Sequence, residues 1–454
     1  MDARMSPDPS QPTAGLGEIE VKRRHILPKA LAVGLVAGVI ASLFRRVLQF
    51  CELGRIRWIE DLPKWKGLVV AVGLGSVGAG AALWLVRRFA PETSGSGIPH
   101  LKSVVMGEKE LRWKRVLPVK FVAGVLGIGA GLTLGREGPT VQMGGATGLM
   151  VSGWFRVKRG EGERKALISA GAAAGLAAAF NAPLASLIFV IEELSGSFTP
   201  VLFVASFIAA VSADVACRVL TGETPVFALK DTPAPSLHTL PVAILVGVAA
   251  GFAGVLFNKC LLRSLDLFDR LRSWPPFALG AAVGAVVGLA AWYYPSVSGS
   301  GALLSDQAVS GEFTLKVMLA LIVARFFLVM LSYGCGAAGG FFAPILVLGS
   351  LGGLVVGGVM HLLAPGWAAN PETFAVIGMG ALFTATVRAP LTGIVLMIEL
   401  TGKYEFMLPL LVSCFAAYGI AEALRDMPIY EALRERTKHR EALVAVKPGP
   451  AVPG

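Results

Sequence analysis

The sequence predicts an all-α polytopic membrane protein. Its composition, its interrupted apolar runs and an internal repeat are the observations that predict it. Hydrophobic residues make up 54% of the 454 residues and charged residues 16%, whereas about a quarter of an average soluble domain is charged. A chain of this composition has little or no soluble domain.

The predicted membrane segments follow the apolar runs. Some runs are too short, or too broken by glycine and proline, to be simple spans of about 20 residues, and others are too long to be one. Broken helices are tolerated in lipid only where protein or a cavity covers the freed backbone, and they are typical of transporters and channels. The runs cover residues 30–53, 67–88, 117–135, 166–193, 199–219, 240–262, 276–294, 314–334, 341–364, 372–400 and 405–424.

Basic residues flank the membrane region at both ends. The first 20 residues are polar and do not resemble a signal peptide. Lys22, Arg23 and Arg24 precede the first apolar run, and a basic segment at 434–440 follows the last one. The positive-inside rule therefore predicts that both termini are cytoplasmic. These flanks and the basic loops account for the net charge of +11.

Several other functional classes find little support in the composition. No basic stripe lies on a soluble domain, which argues against nucleic-acid binding. The five cysteines are scattered and form neither a metal-binding spacing nor a disulfide framework. The chain has no HExxH motif and only five histidines, and its glycine-rich turns carry no lysine for phosphate. We therefore predict that it is not an enzyme and has no metal site or cofactor.

The two halves of the chain share three landmarks in the same order. "SGSG" occurs at 94–97 and at 298–301, and "GREGPTVQMGG" (135–145) aligns with "GFFAPILVLGS" (340–350). "NAPLASLIFVIEEL" (181–194) matches "RAPLTGIVLMIEL" (388–400), and the three offsets are 204, 205 and 207 residues. This agreement indicates a duplication. The matches themselves are compatible with parallel or inverted repeats.

The repeat separates features of the architecture from candidates for function. Glu192 aligns with Glu399, which favours a structural role at a helix end for both. Glu193 aligns with Leu400 and is therefore a candidate for function. The charges of Arg136 and Glu137 likewise belong to one half, because "FF" at 341–342 stands opposite them.

Three turns punctuated by glycine and proline each lead into an apolar run: "GSGIP" (95–99), "GREGP" (135–139) and "GGFFAP" (339–344). Proline suits the first turn of a helix, so each turn predicts a helix N-terminus within the bilayer. Such ends present free N–H groups and a partial positive charge. Three helix N-termini that converge would bind an anion, but weakly enough for the anion to leave again.

Glu137 would stand beside this anion site. Its carboxylate can occupy the site when ionised and leave it when protonated. The alternative is a buried structural pair of Arg136 and Glu137, although ionisable residues in membrane segments are usually functional. Glu193 has its own alternative as a solvated helix end, and Tyr430 as an anchor at the membrane interface.

Together these motifs resemble the CLC family of chloride channels and chloride/proton exchangers, most closely its bacterial proton-coupled exchangers. The resemblance extends from about residue 28 to 440. It rests on "GSGIPH" (95–100), "VLPVKFVAG" (116–124), "GREGPTVQMGG" (135–145), "AAAGLAAAFNAPLASLIFVIEEL" (172–194), "GGFFAPIL" (339–346), "VRAPLTG" (387–393) and Tyr430.

The resemblance implies roles for individual residues. The hydroxyls of Ser96 and Tyr430 and the backbone N–H groups of Phe341 and Phe342 would bind the central anion, with Gly138 beside them. Glu137 would be the external gating glutamate, which alternates between blocking the anion path and carrying a proton. Glu193 would be the internal proton-transfer glutamate. Bound chloride ions would be the substrate, and no cofactor is implied.

The resemblance also implies an architecture. It consists of about eighteen tilted or partial helices in two inverted-topology repeats, at about 28–220 and 235–424. Residues 1–27 and 441–454 would be cytoplasmic, without nucleotide-binding (CBS) modules. The family forms homodimers in lipid, here in the cell inner membrane, with the apolar faces near Ile191 and Met407 as parts of the dimer contact.

The presence of both glutamates favours a chloride/proton antiporter over a passive chloride channel on the same fold, because the channels of the family usually carry an apolar residue at the position of Glu193. His100 follows "GSGIP" where close bacterial relatives often carry an acid, and Lys102 and Lys109 add positive charge nearby. A membrane-embedded enzyme would need a nucleophile with a base, a metal site or two acids within reach. A scaffold would not require charges in one half of a repeat.

Overall fold

The computed structural model describes residues 12–158, 162–222 and 235–446. Seventeen α-helices lie within these ranges, and eight helices there are long and apolar enough to cross a membrane. The predicted all-α class is confirmed. Parts of the predicted terminal segments, residues 1–11 and 447–454, lie outside the described residues.

The first half contributes eight α-helices to the described part of the chain, and α7 continues into a π-helical turn at Val190–Ser195. They are α1 (Pro12–Glu60), α2 (Lys64–Phe89), α3 (Ile98–Val105), α4 (Trp113–Gly129), α5 (Glu137–Trp154), α6 (Gly162–Phe180), α7 (Pro183–Phe189) and α8 (Pro200–Thr221).

The second half repeats this series, and one further helix follows it. The helices are α9 (Leu240–Arg270), α10 (Pro276–Tyr293), α11 (Ala302–Val309), α12 (Leu315–Gly334), α13 (Phe342–Leu363), α14 (Thr373–Val387), α15 (Pro390–Thr401), α16 (Met407–Ala423) and α17 (Ile429–Val446).

The two longest apolar runs each break into two helices at an Ala-Pro step. Asn181 separates α6 from α7 and has a φ of 56°, and Arg388 separates α14 from α15 with a φ of 68°. Left-handed backbone is uncommon outside glycine, so both breaks need support from their surroundings. The Asn181 side chain accepts a hydrogen bond from Arg45 at 3.1 Å, and Arg388 forms an ion pair with Asp426 at 3.5 Å.

Reciprocal helix caps show that the two repeats are inverted. Glu399, near the end of α15, accepts hydrogen bonds from the N–H groups of Leu184 and Ala185 in the first turn of α7, at 3.0 and 2.7 Å. Glu192, in the π-helical turn after α7, accepts from Leu391 and Thr392 in the first turn of α15, at 3.1 and 2.8 Å. The start of each helix meets the end of its counterpart, so the equivalent helices are antiparallel.

These caps give Glu192 and Glu399 the structural role that their alignment predicts. Each carboxylate satisfies N–H groups that a helix start leaves without partners and adds negative charge where the helix dipole favours it.

Glycines bring the central helices into backbone contact. A Cβ on Gly144 of α5 would lie 2.1 Å from the carbonyl oxygen of Gly171 on α6, and the reverse distance is also 2.1 Å. Gly349 of α13 and Gly378 of α14 repeat this contact in the second half, at 2.5 and 2.2 Å. Because small residues let membrane helices approach closely, these contacts hold α5 and α13 rigidly at the centre.

We expect Gly144→Ala to lower the free energy of unfolding by about 1–3 kcal/mol, because the added methyl group must push α5 away from α6. Gly153→Ala is the matched control on the same helix. A Cβ at Gly153 meets no described atom within 4 Å, and alanine favours helix. Denaturant unfolding in detergent measures both variants. Equal stability of the two would contradict the close packing of α5 on α6.

Candidate functional site

Backbone hydrogen bonds tie the three predicted turns together at the centre of the protein. Gly135 and Gly340 are equivalent residues of the two repeats, and they exchange both of their N–H···O bonds, at 2.6 and 2.8 Å. Gly95 donates to Ala337 at 3.0 Å and accepts from Gly339 at 3.1 Å. The pseudo-twofold axis therefore passes between "GREGP" and "GGFFAP", and "GSGIP" is joined to the second of these turns.

Each turn leads into a helix, as the sequence predicts. Helix α3 begins at Ile98, α5 at Glu137 and α13 at Phe342. All three starting residues are buried. Three helix N-termini thus meet in the interior, where water is excluded and their partial positive charge is least screened.

A buried cation supports the first of these turns. Lys120 of α4 is fully buried and donates to the carbonyl oxygens of Thr93 and Gly95, at 2.8 and 2.6 Å. These bonds satisfy carbonyl groups that would otherwise face the protein interior without partners.

Arg325 of α12 does the same in the second half. It is fully buried, and its guanidinium donates to the carbonyl oxygens of Val297 at 2.9 Å, Gly299 at 3.2 Å and Ser300. Lys120 and Arg325 are 205 residues apart, the offset of the repeat itself. Our sequence interpretation missed both cations, and this offset is the signal that would have found them.

Four of the residues predicted to bind the anion form two contacts, Ser96 with Gly138 and Phe341 with Tyr430. A Cβ on Gly138 would lie 2.8 Å from the Cβ of Ser96, so the starts of α3 and α5 are in direct contact. The Phe341 ring stacks on Tyr430 with their centroids 5.2 Å apart. The Tyr430 hydroxyl is buried and has no hydrogen-bond partner among the described residues.

Phe342 completes the wall of the site from the other side. Its ring lies 6.2 Å from that of Phe189, which in turn packs edge-on against Tyr430 at 6.4 Å. Phe383 packs on Phe342 at 4.6 Å. Aromatic side chains at α7, α13 and α14 therefore form one packed cluster with the Tyr430 ring.

The Glu137 side chain folds back towards the start of α13. It is 2% exposed, and its carboxylate faces the backbone N–H groups of Ala343 and of Glu137 itself, while its Oε2 atom has no hydrogen-bond partner within the described residues. A Cβ on Gly135 would come within 2.2 Å of Oε2, so only glycine leaves room for this arrangement. The carboxylate thus occupies the end of a helix dipole, where an anion is favoured.

Glu137 also lines a cavity of about 320 Å³, which we call the outer cavity. Arg136, the residue before α5, lines the same cavity and is partly exposed. The predicted alternative of a buried Arg136–Glu137 pair finds no support in the geometry, because no ion pair joins them within the described chain. The outer cavity is lined by Arg45, Gln49, Glu52, Leu53, Arg55, Ile56, Arg136, Glu137, Thr221, Pro295, Ser296, Ser298, Ser300, Gly301, Ala302, Leu303 and Ala343.

Glu193 lies away from Glu137, in the π-helical turn after α7. It is 5% exposed, and Lys102 of α3 donates to it at 2.8 Å. Lys102 also contacts Glu431 of α17 at 3.2 Å. Tyr430 is close enough to both Glu137 and Glu193 for electrostatic interaction with each. Sequence analysis noted Lys102 without assigning it a partner.

A network of charges extends this contact along α17. Arg434 bridges Glu431 and Glu108, the latter at 2.7 Å, and Lys438 contacts Glu108 at 2.8 Å. The hydrogen bond from Lys438 holds the pKa of the Glu108 carboxyl below its usual range. These pairs fasten α17, and therefore Tyr430, to the loop that follows α3.

A second cavity, of about 670 Å³, lies beside this network and is lined by residues of α3 and α17. We call it the inner cavity. Ser94, Gly95, Gly97, Tyr333 and His100 are among its lining residues. The Nε2 atom of Gln142 lies 3.3 Å from Nδ1 of His100. The site of Ser96 and Tyr430 therefore has a cavity beside it towards α17 and another, the outer cavity, beside Glu137.

The chain is similar to proteins of known activity over nearly its whole length. The profile of the family described as voltage gated chloride channel matches residues 78–422. The H(+)/Cl(-) exchange transporter ClcA of Vibrio cholerae serotype O1 (strain M66-2) is 41% identical over 432 residues, which cover 92% of this chain and 91% of ClcA.

Solved structures agree with this similarity. A slow cyanobacterial Cl-/H+ antiporter has a TM-score of 0.86 at 36% identity, covering 91% of this chain and 97% of the antiporter. A eukaryotic CLC transporter has a TM-score of 0.77 at 23% identity, covering 92% of this chain and 74% of that transporter, and shows the shared fold. These relatives are transporters, which confirms the prediction that the chain is not an enzyme. Their fold, the extent of the profile match and the predicted motifs agree: the chain belongs to the voltage gated chloride channel family, the CLC family.

Proposed function

We propose that this protein exchanges chloride for protons across the bacterial inner membrane, with Glu137 as the external gating glutamate and Glu193 as the internal proton glutamate. The position of the Glu137 carboxylate carries the proposal. It lies against N–H groups at the start of α13, at the place that a transported anion would occupy. The relatives named as chloride/proton exchangers support the same activity.

The anion site is proposed where Ser96, Gly138, Phe341, Phe342 and Tyr430 meet. The buried Tyr430 hydroxyl, which lacks a partner in the described chain, is a donor for chloride. Helix N–H groups hold the anion without placing a full positive charge on it, so binding is favourable but shallow. This balance allows release at every turn of the cycle.

Competition between chloride and Glu137 would couple the two fluxes. When Glu137 is ionised, its carboxylate occupies the N–H groups and excludes the anion. When it is protonated, it loses its charge and chloride takes its place. The proton then passes between Glu137 and Glu193, through the interior beside Tyr430. Anion and proton therefore move in opposite directions.

Membrane insertion agrees with the exposed side chains. Large apolar residues of α1 point outward along one face, where Leu35, Val39 and Leu43 are 44%, 50% and 55% exposed. In the proposal lipid covers these faces, both termini are cytoplasmic, and two copies form a homodimer. Ile191 and Met407 are partly exposed and remain candidates for the dimer contact.

A flux assay with the purified protein tests the proposed function. Vesicles loaded with chloride are diluted into low chloride, with symmetric potassium and valinomycin to hold the membrane potential at zero. Parallel chloride and pH electrodes should record chloride efflux together with proton uptake against no initial pH gradient. Chloride efflux without proton uptake would establish the passive channel instead, and no chloride efflux would reject anion transport.

A further inference from the structure

The outer cavity contains a positive charge that the exchange mechanism does not use. Arg55 of α1 lines this cavity and is 4% exposed. Within the described residues its Nε and Nη1 atoms have no hydrogen-bond partner, and no carboxylate forms an ion pair with it. Burying a charged group without a partner is costly, so a fold that retains one has placed it for a ligand or a later contact.

The neighbouring carboxylate is engaged elsewhere. Glu52 lies one turn before Arg55 on α1, and its Oε1 accepts a hydrogen bond from the N–H group of Ser300 at 3.2 Å. This bond fixes the "SGSG" loop of the second half at the rim of the outer cavity. Glu52 interacts electrostatically with Arg55, but no ion pair joins the two side chains within the described residues.

The balance of charges around the outer cavity favours an anion. Three arginines line it, Arg45, Arg55 and Arg136, against the two carboxylates of Glu52 and Glu137. Arg45 donates to Asn181 at 3.1 Å. When Glu137 is protonated, as the proposed cycle requires, the excess of positive charge grows by one.

We infer that the outer cavity is an anion-binding site in which the Arg55 guanidinium holds a small monovalent anion on its way to or from Glu137. The inference rests on the proposed anion transport. Arg55 would raise the local anion concentration beside the gate, and the nearby Glu52 would keep the binding weak enough for release. The site would hold chloride or bromide, which need N–H donors and no bidentate geometry.

Diffraction from crystals of the full chain grown in bromide tests the site directly. We expect an anomalous peak within hydrogen-bonding distance of the Arg55 guanidinium, and no such peak in Arg55→Gln. Peaks confined to the neighbourhood of Ser96 and Tyr430, with none at Arg55 in the unaltered protein, would overturn the inference. This readout does not depend on whether the variant transports.

Sided transport gives a second test. In right-side-out membrane vesicles, which present the outer cavity to the bath, Arg55→Gln should raise the half-saturating chloride concentration for uptake by about tenfold, the effect of one lost charge-assisted hydrogen bond. Inverted vesicles, which present the inner cavity, should show little change. Arg55→Lys keeps the charge and should recover part of the affinity.

Arg57→Gln is the matched control, because it removes the same charge from an exposed position two residues along α1. An equal shift in Arg55→Gln and Arg57→Gln would reduce the effect to general surface charge and refute a site at Arg55. Absence of chloride uptake in the unaltered protein would instead reject the proposed function. The two failures are thus distinguishable.

Discussion

Glu137→Gln should abolish proton movement while chloride continues to cross the membrane. Glutamine has nearly the same size as glutamate but cannot carry a proton, and it lacks the charge that holds the carboxylate at the start of α13. The gate therefore resembles the protonated state, and the anion path stays open. In the two-electrode vesicle assay we expect proton uptake to fall below detection, with chloride efflux within about tenfold of the unaltered rate.

Glu60→Gln is the control for this variant, because Glu60 is an exposed carboxylate at the end of α1. It should keep both fluxes. Proton uptake that persists in Glu137→Gln would reject Glu137 as the proton-carrying gate. Loss of both fluxes in a folded variant would show that Glu137 is needed to bind the anion, not to gate it.

Glu193→Gln should also stop proton movement and spare chloride. Glu193 is buried beside Lys102, which also contacts Glu431, and it is not among the residues proposed to bind the anion, so we expect chloride movement not to depend on it. Proton movement should depend on Glu193, because Glu193 is the only buried carboxylate other than Glu137 that we propose on the proton route. Parallel chloride and pH recordings separate the two effects.

Glu192→Gln provides a control at the adjacent residue. Glu192 caps α15 through Leu391 and Thr392, so its substitution should weaken charge-assisted hydrogen bonds and lower the free energy of unfolding by about 1–3 kcal/mol. Proton coupling should survive. If Glu193→Gln keeps its coupling as well, Glu193 is a helix end like its neighbour.

Much of the central architecture could be predicted from local patterns. The glycine and proline turns at 95–99, 135–139 and 339–344 each mark a helix start, because backbone geometry and the missing proline N–H act over a few residues. The repeat predicted a structural role for Glu192 and made Glu193 a candidate for function. The reciprocal caps confirm the structural role of Glu192. The role of Glu193 stays a prediction.

Other features depend on which distant segments meet, and a single sequence does not specify that. Lys102 and Glu193 are far apart in the chain and come together only because α3 packs beside the turn after α7. Arg55 reads in sequence as one of several basic residues near the end of α1. Its burial, and the engagement of Glu52 by Ser300, follow from the packing of the second-half loop against α1. The repeat offset relates Lys120 to Arg325, but it predicts their shared role only if a buried cation is already expected beside each "SGSG" loop.

The exchange of hydrogen bonds between Gly135 and Gly340, and of caps between Glu192 and Glu399, has the form of an isologous interface, in which residue i meets residue j and j meets i. A protein of half this length, paired antiparallel with a second copy of itself, would need only one glycine and one glutamate to make all of these contacts. Fusion of two such copies would free each half to change alone. Arg136 and Glu137, which stand opposite two phenylalanines in the second half, are such a change. The symmetric contacts would then stabilise the fold, and the residues that differ between the halves would give the two membrane faces different chemistry.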